Sequence, residues 1–339
     1  MATSSVMQDM EIDEIEDEEA LVLELSSPLE KFRPARYLWV SHLAEQLWCE
    51  QRLEYSFTRP VKITENMEDS YYTSPFKQDN ANIRNCEENA AMITLSSEMS
   101  KLRLSQELHS EEYIGVEVKT DEDIFAIKAM KLYDIVNGLP KQKNCEKVPI
   151  FGWLSRLLLV GIIHELRYDN NSKSIEIHDY KIRKKPYKPG QAQIDKNKFQ
   201  LTIYTYLLKN ICDMDIEKIC SELELDRLKL ISVSIKKKLS EDVSTLNDVF
   251  MKLKKLPKFE ISKTVIHYRC DNMEFTKLEM NYDEDWLMEK IYHFEDYWHG
   301  HRFIPQGVDV AEVWKCDLCP YINDCDWRKM KCSPRSLIF

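Results

Sequence analysis

The chain has 339 residues, 43% hydrophobic and 31% charged, with 47 basic and 58 acidic side chains and a formal net charge of −11. These are the proportions of a soluble globular protein with ample core, and no apolar run approaches the roughly 20 residues of a transmembrane helix. Seven glycines leave no Gly-rich phosphate loop, and the acidic start is neither a secretory signal nor an Arg-rich presequence. The cytosol or nucleus is therefore expected in preference to the mitochondrion.

Residues 1–30 carry ten acidic and no basic side chains, which accounts for all but one unit of the net charge. They read as a disordered acidic tail ahead of one domain spanning 31–335. Within the tail, Leu21 to Ser27 could add as a strand to a partner's sheet edge or anchor on its own domain. In Tyr37 to Phe57, apolar Leu38, Trp39 and Val40 lead into a predicted helix with Ser41 as N-cap, the pairs Leu43/Leu47 and Ala44/Trp48 at helical spacing, and Cys49 inside it. Glu65 to Asn89 reads as a loop or poorly ordered insert. A helix over Ala90 to Glu112, a strand over Tyr113 to Thr120 and an amphipathic helix over Glu122 to Val136 follow.

The apolar run Leu157 to Ile163 predicts a buried strand that ends in His164-Glu165. After the turn formers Asp169-Asn170-Asn171-Ser172, a second strand runs from Ile175 to Lys181, so a β-hairpin is expected. Alternation puts Asp179 and Lys181 on one face and Tyr180 on the other. A carboxylate two residues before a lysine suits metal-dependent phosphodiester hydrolysis. The acid would hold a divalent cation, and the lysine would orient water or offset charge on the phosphate. The same tripeptide pattern also arises by chance on solvated strand faces.

The segment Lys181 to Lys188, with Arg183, Lys184, Lys185 and Lys188, is a candidate wall of a basic groove. A helix from Ala192 to Asn210 follows, and Gln200 and Tyr204 share one of its faces, placed either to contact a nucleotide or to pack on the sheet. Residues 215–260 read as helical and lysine-rich. Lys263 to Cys270 predicts a strand, and Trp286 to His299 a helix.

In a reducing compartment ten cysteines argue for metal or cluster ligation over disulfides. Cys316, Cys319 and Cys325 are spaced Cys-x2-Cys-x5-Cys and need a fourth ligand, for which Cys332 nearby or Cys49 far upstream are available, to hold tetrahedral zinc or a cubane iron-sulfur cluster. No zinc-ribbon CxxC partner exists elsewhere, which favours the cluster. A zinc-dependent interaction module with an acidic recruitment tail is the reading from a different class.

Taken together, these blocks resemble the exonuclease V family, RecB-like members of the PD-(D/E)XK nucleases. The resemblance covers about Arg33 to Lys329. It is densest in His299-Gly300-His301-Arg302, Pro305 to Val310, Trp314-Lys315-Cys316 and Cys325-Asp326-Trp327-Arg328, with Thr120 to Asp123, Ala126-Ile127-Lys128, Val160 to Ile163, Phe199-Gln200 and Tyr204 upstream.

The resemblance implies an α/β fold with a central mixed sheet flanked by helices, its ends clipped by a [4Fe-4S] cluster on Cys49, Cys316, Cys319 and Cys325. It further implies a monomeric, Mg²⁺- or Mn²⁺-dependent exonuclease that degrades single-stranded DNA to short oligonucleotides in DNA repair. Single-strand-binding or repair proteins are its implied partners. The implied catalytic group is Asp179, Lys181, His164 and Glu107, with His164 and Asp179 on the divalent cation. Gln200, Tyr204, Arg183, Lys184, Lys185 and Lys188 would contact DNA. His164 stands where relatives carry a metal-binding Asp, Asp179 replaces a longer Glu, and Arg103 stands where relatives carry a His, one turn before Glu107. A catalytically degenerate member that binds DNA or a repair partner is the alternative within the family.

Overall fold

The computed structural model describes residues 26–33, 35–59, 118–239, 242–271 and 273–331. The predicted helix over Ala90 to Glu112, Arg103, Glu107, Cys332 and nearly all of the acidic tail lie outside them. Among the described residues no helix is long and apolar enough to cross a membrane.

The centre of the fold is a six-stranded mixed sheet. Its strands are β1 (Leu38–Trp39), β2 (Asn144–Leu154), β3 (Leu157–Asp169), β4 (Ser174–Ile182), β5 (Ile261–Cys270) and β6 (Met273–Met280). One edge of β3 pairs antiparallel with β2, from Leu154↔Leu157 to Asn144↔Arg167. Its other edge meets β1 in parallel at Leu159 and Val160, then β4 antiparallel from Glu165. β4 pairs in parallel with β5, and β5 antiparallel with β6.

The turn formers act as the sequence indicates: the Asp169 carboxylate accepts from Asn171 N (3.0 Å) and Ser172 Oγ (2.7 Å), closing the β3–β4 hairpin. Strand β2 was not anticipated because it opens on polar Asn144-Cys145-Glu146-Lys147 and contains Pro149 and Gly152, both weak strand formers. Strand β6 escaped because, as a mostly exposed edge strand, it lacks a buried alternating stripe.

The helices are α1 (Pro28–Phe32), α2 (Val40–Trp48), α3 (Glu50–Thr58), α4 (Asp121–Gln142), α5 (Gln191–Lys209), α6 (Ile216–Glu222), α7 (Val233–Leu239), α8 (Leu246–Lys254), α9 (Glu284–Trp298) and α10 (Asp326–Lys331). Phe125 of α4 meets Phe151 of β2 at 4.8 Å, with Phe250 of α8 behind it. Phe199 of α5 is gripped edge-on by Trp286 and Phe294 of α9, each at 5.7 Å. These aromatic contacts fix helices on the sheet.

Four expectations change. The tail gives way to structure earlier than residue 30: Ser27 caps α1 in a capping box with Glu30, and Leu29 is buried. The single helix expected from Ser41 onward is instead two helices that break at Cys49, and α2 starts at Val40, directly after strand β1, so Ser41 is not its cap. Lys119 and Thr120 are not strand; Thr120 caps α4, accepting from Asp123 N at 3.2 Å. The stretch 215–260 resolves into three short helices joined by turns.

Candidate active site and cysteine cavity

The β3–β4 register pairs Glu165 with His178, so the next rung sets His164 opposite Asp179, and His164 Nδ1 bonds Asp179 Oδ1 directly. Asp179 is only 1% exposed. Burial alone would raise its pKa, but the Lys181 ammonium and the His164 contact outweigh that and hold it at about 2. Lys181 Nζ lies 2.8 Å from Asp179 Oδ2, yet that oxygen has no hydrogen bond of acceptable geometry. The contact is thus an ion pair.

Lys181 Nζ also donates to Gln200 Oε1 (2.9 Å), and Gln200 Nε2 donates to the Tyr204 hydroxyl (3.1 Å). Burial pushes the Tyr204 phenol well up, so it stays protonated. The helix face sits this close because residue 161 is glycine: a Cβ there would lie 2.6 Å from Tyr204 Cε1. Five sequence-predicted residues, His164, Asp179, Lys181, Gln200 and Tyr204, therefore form one connected row.

Arg183 lies one residue past the end of β4. Its guanidinium lies 5.2 Å from the Tyr268 ring centre, bonds Gln193 of α5 and reaches Tyr187 O at 3.5 Å. Lys184, Lys185 and Lys188 stand exposed on the connection to α5.

Glu165 turns away from His164. It accepts from Arg167 Nε and Nη2 (2.8 Å each) and from the Tyr180 hydroxyl, and these bonds hold it at about 2 against burial. On that opposite face Tyr180 stacks on His267 at 4.7 Å, and His267 bonds His178 at 2.8 Å. Asp123 and Glu122, part of the block carried by the resemblance, serve architecture. Asp123 accepts from Ser232 N (2.8 Å) and Oγ (2.6 Å), and Glu122 pairs with Lys229 at 2.8 Å.

Sequence reading missed the buried pair of Glu45 on α2 and Lys196 on α5. Its only local signal is a charged residue at an otherwise apolar helical position.

Cys49 joins α2 to α3 in an extended conformation (φ −170°, ψ 113°). That break lets Cys49 share one cavity with Cys316, Cys319 and Cys325, lined also by Arg52, Lys315 and Arg328. Burial, with the nearby Cys319 and Cys325 sulfurs, pushes the Cys49 thiol up to about 12. Among the described residues no three His, Cys, Asp or Glu side chains converge as a single-ion site. Four cysteines line one space, the donor set that a larger thiolate-bound group would need, and Arg52 and Arg328 on its wall would offset negative charge, while Lys315 is paired with Glu312 at 2.6 Å. In the candidate site the two side chains that could donate to a divalent cation, His164 and Asp179, are bonded to one another, and among the described residues no third metal-capable side chain joins them.

The two chain ends are also clasped without that cavity. Glu50 takes both Arg302 Nη groups and Gln306 N (2.8 Å), and Trp298 Nε1 donates to Gln46 (2.8 Å). Tyr297 donates to Glu54 (2.7 Å), and Tyr55 donates to Asp326 Oδ2 (2.9 Å). Gly307 lets Trp327 lie flat against it, since a Cβ would come within 2.2 Å of the indole.

A family model described as "Exonuclease V - a 5' deoxyribonuclease" matches residues 169–260 and 239–328. An exonuclease V of Danio rerio is 24% identical over 314 residues, covering 89% of this chain and 73% of that one. A solved structure titled "Crystal structure of SSO0001" aligns over 67% of this chain and 95% of that chain at a TM-score of 0.29 and 13% identity, a likeness too slight to refine the fold. The matched segments include the candidate hairpin's second strand, α5 and the three C-terminal cysteines, and the chain belongs to the exonuclease V family of nucleases.

Proposed function

We propose that the protein is a metal-dependent exonuclease that hydrolyses single-stranded DNA from an end and releases short oligonucleotides in DNA repair. The observation that carries this reading is the connected row His164–Asp179–Lys181–Gln200–Tyr204, with Asp179 buried and ionised between His164 and Lys181. A divalent cation, Mg²⁺ or Mn²⁺, held by Asp179 and His164 with Glu107 would supply Lewis-acid assistance and a water of lowered pKa.

Lys181 has three N–H groups. One goes to Gln200 and one faces Asp179, which leaves the third for the attacking water or a phosphate oxygen. Gln200 fixes the rotamer of Lys181, and the protonated Tyr204 fixes Gln200. Lys184, Lys185 and Lys188 are placed to hold phosphates without reading sequence.

Cys49, Cys316, Cys319 and Cys325 would hold a [4Fe-4S] cluster in a structural role, joining segments that lie far apart in the chain. The protein would work as a monomer in the nucleus or cytosol, with single-strand-binding or repair proteins as partners.

The test is digestion of end-labelled single-stranded DNA in Mg²⁺ and in Mn²⁺. Lys181→Ala should lower the rate by about 100-fold or more, the loss typical of a transition-state donor; a full rate in Lys181→Ala would sink the assignment. The direct bond between His164 and Asp179 favours a second reading, in which these groups satisfy one another and the protein binds DNA without cutting it. Activity gained by His164→Asp in an otherwise inert protein would select that reading.

A further inference from the structure

The connection between β4 and α5 carries an aromatic ring that the proposed mechanism does not use. Tyr187 is 58% exposed, between Lys184 and Lys185 on one side and Lys188 on the other. A lone exposed tyrosine is ordinary on a protein surface. This one is bracketed. Tyr187 N donates to Lys185 O at 2.9 Å, closing a tight turn, and Arg183 Nη1 reaches Tyr187 O at 3.5 Å.

Arg183 is itself held from three directions: its backbone N donates to Arg269 O (2.8 Å), its side chain bonds Gln193 of α5, and its guanidinium packs 5.2 Å from the Tyr268 ring centre. Asp179 and Lys181 share a face of β4, and Arg183, one residue past the strand's end, reaches α5 through Gln193 as Lys181 does through Gln200. The Tyr187 turn is therefore tied, through Arg183, to the chain two residues past the candidate catalytic lysine. Its backbone is tied down and its ring is left open.

We propose that Tyr187 is a stacking platform for one unpaired nucleobase of the DNA strand whose scissile phosphate lies at Asp179 and Lys181. The occupant follows from charge complementarity and position: a polyanion along Lys184, Lys185 and Lys188 brings its bases beside a fixed aromatic face. Every base has a π-face, so the platform is indifferent to sequence. A duplex keeps its bases stacked inside and has no face to offer. Tyr187 would thus contribute to choosing single strands over duplexes, while the lysines hold either. This inference rests on the single-strand nuclease reading.

The experiment uses the full chain without divalent cation and a single-stranded oligothymidylate in which one 2-aminopurine is moved position by position. Bound natural protein should quench the fluorophore at one or two adjacent positions. Tyr187→Ala should remove that quenching and weaken binding five- to a hundred-fold, the range of one lost base stack, with the salt slope unchanged. Tyr187→Phe and Tyr187→Trp should retain quenching, and affinity for blunt duplex should be the same in all of them.

Quenching undiminished in Tyr187→Ala, with the oligonucleotide still bound, overturns the platform and leaves the nuclease reading standing. A changed salt slope in Tyr187→Ala, or lost affinity in Tyr187→Phe, overturns it in favour of a turn that only places the lysines. No binding by the natural protein at low salt overturns both. Cutting by the natural protein, lost in Lys181→Ala, tests the nuclease reading independently.

Discussion

Gly161 shows how one residue type decides the candidate site. The Tyr204 ring occupies the space a Cβ would need, and Val40 closes it from the other side at 3.2 Å. Gly161→Ala should therefore destabilise the protein by about 1–3 kcal/mol, the usual cost of overpacking. It should also disturb Gln200 and Lys181, which are bonded in series to the displaced ring. Gly190→Ala is the matched control, since nothing lies within 4 Å of its added methyl. Urea unfolding of the two variants gives the comparison; equal midpoints would mean that α5 tolerates a shift on β3. The three lysines act differently, as point charges. Replacing Lys184, Lys185 and Lys188 by Ala should reduce the slope of log K against log[salt] by about 2, at roughly 0.7 per single-strand phosphate contact.

Among elements, the decisive pairing is α2 against α5. Glu45 and Lys196 are both buried and bonded across it, and Glu45 Oε2 has no hydrogen-bond partner. Burial would raise Glu45, but Lys196 and Arg52 outweigh it and keep the carboxylate ionised. Breaking such a pair is much worse than removing it. Glu45→Leu or Lys196→Met alone should cost about 3–5 kcal/mol, whereas the double substitution should return close to the natural stability. Additive losses in chemical denaturation would show that the helices are held by their apolar faces alone. The same helix α2 ends at Cys49, so the element that buries Glu45 also delivers the first cysteine to the cavity.

For the whole molecule, the polar clasp of Glu50, Arg302, Gln46 and Trp298 closes the fold, and the proposed cluster in the cysteine cavity would add a second closure. The natural protein, isolated without oxygen, should contain iron and sulfide and absorb visible light, and Cys319→Ser should lose both. Because the clasp remains, that variant should keep the far-UV circular dichroism of the sheet and helices while limited proteolysis cuts the C-terminal segment faster. Wholesale unfolding would mean that the clasp contributes little.

The histidines set an acid limit. Burial lowers His178 and holds His42 well below the ordinary 6.5. The unfolded chain therefore takes up protons that the folded one refuses, and stability is full above about 6.5 and falls as pH drops below it. His42→Gln should flatten that fall, as read from urea midpoints between pH 7.5 and 5.5.

Sequence periodicity and turn chemistry by themselves determined the hairpin, the shared face of Asp179 and Lys181, the Gln200–Tyr204 helix face and the thiolate spacing at the C-terminus. Each depends on neighbours within a few residues, and backbone geometry leaves them few alternatives. Strand β2, the break at Cys49 and the Glu45–Lys196 pair were decided only by tertiary structure. Pro149 and Gly152 weaken a strand that β3 nonetheless recruits along its whole edge. The extended conformation of Cys49 interrupts a sequence with helical spacing on both sides, where the C-terminal segment binds across the junction through Gln51 N and Gln306 O at 3.0 Å. Local propensity is worth tenths of a kcal/mol per residue, and burying a helix face or completing a ladder is worth several, so where the two conflict the long-range contact prevails.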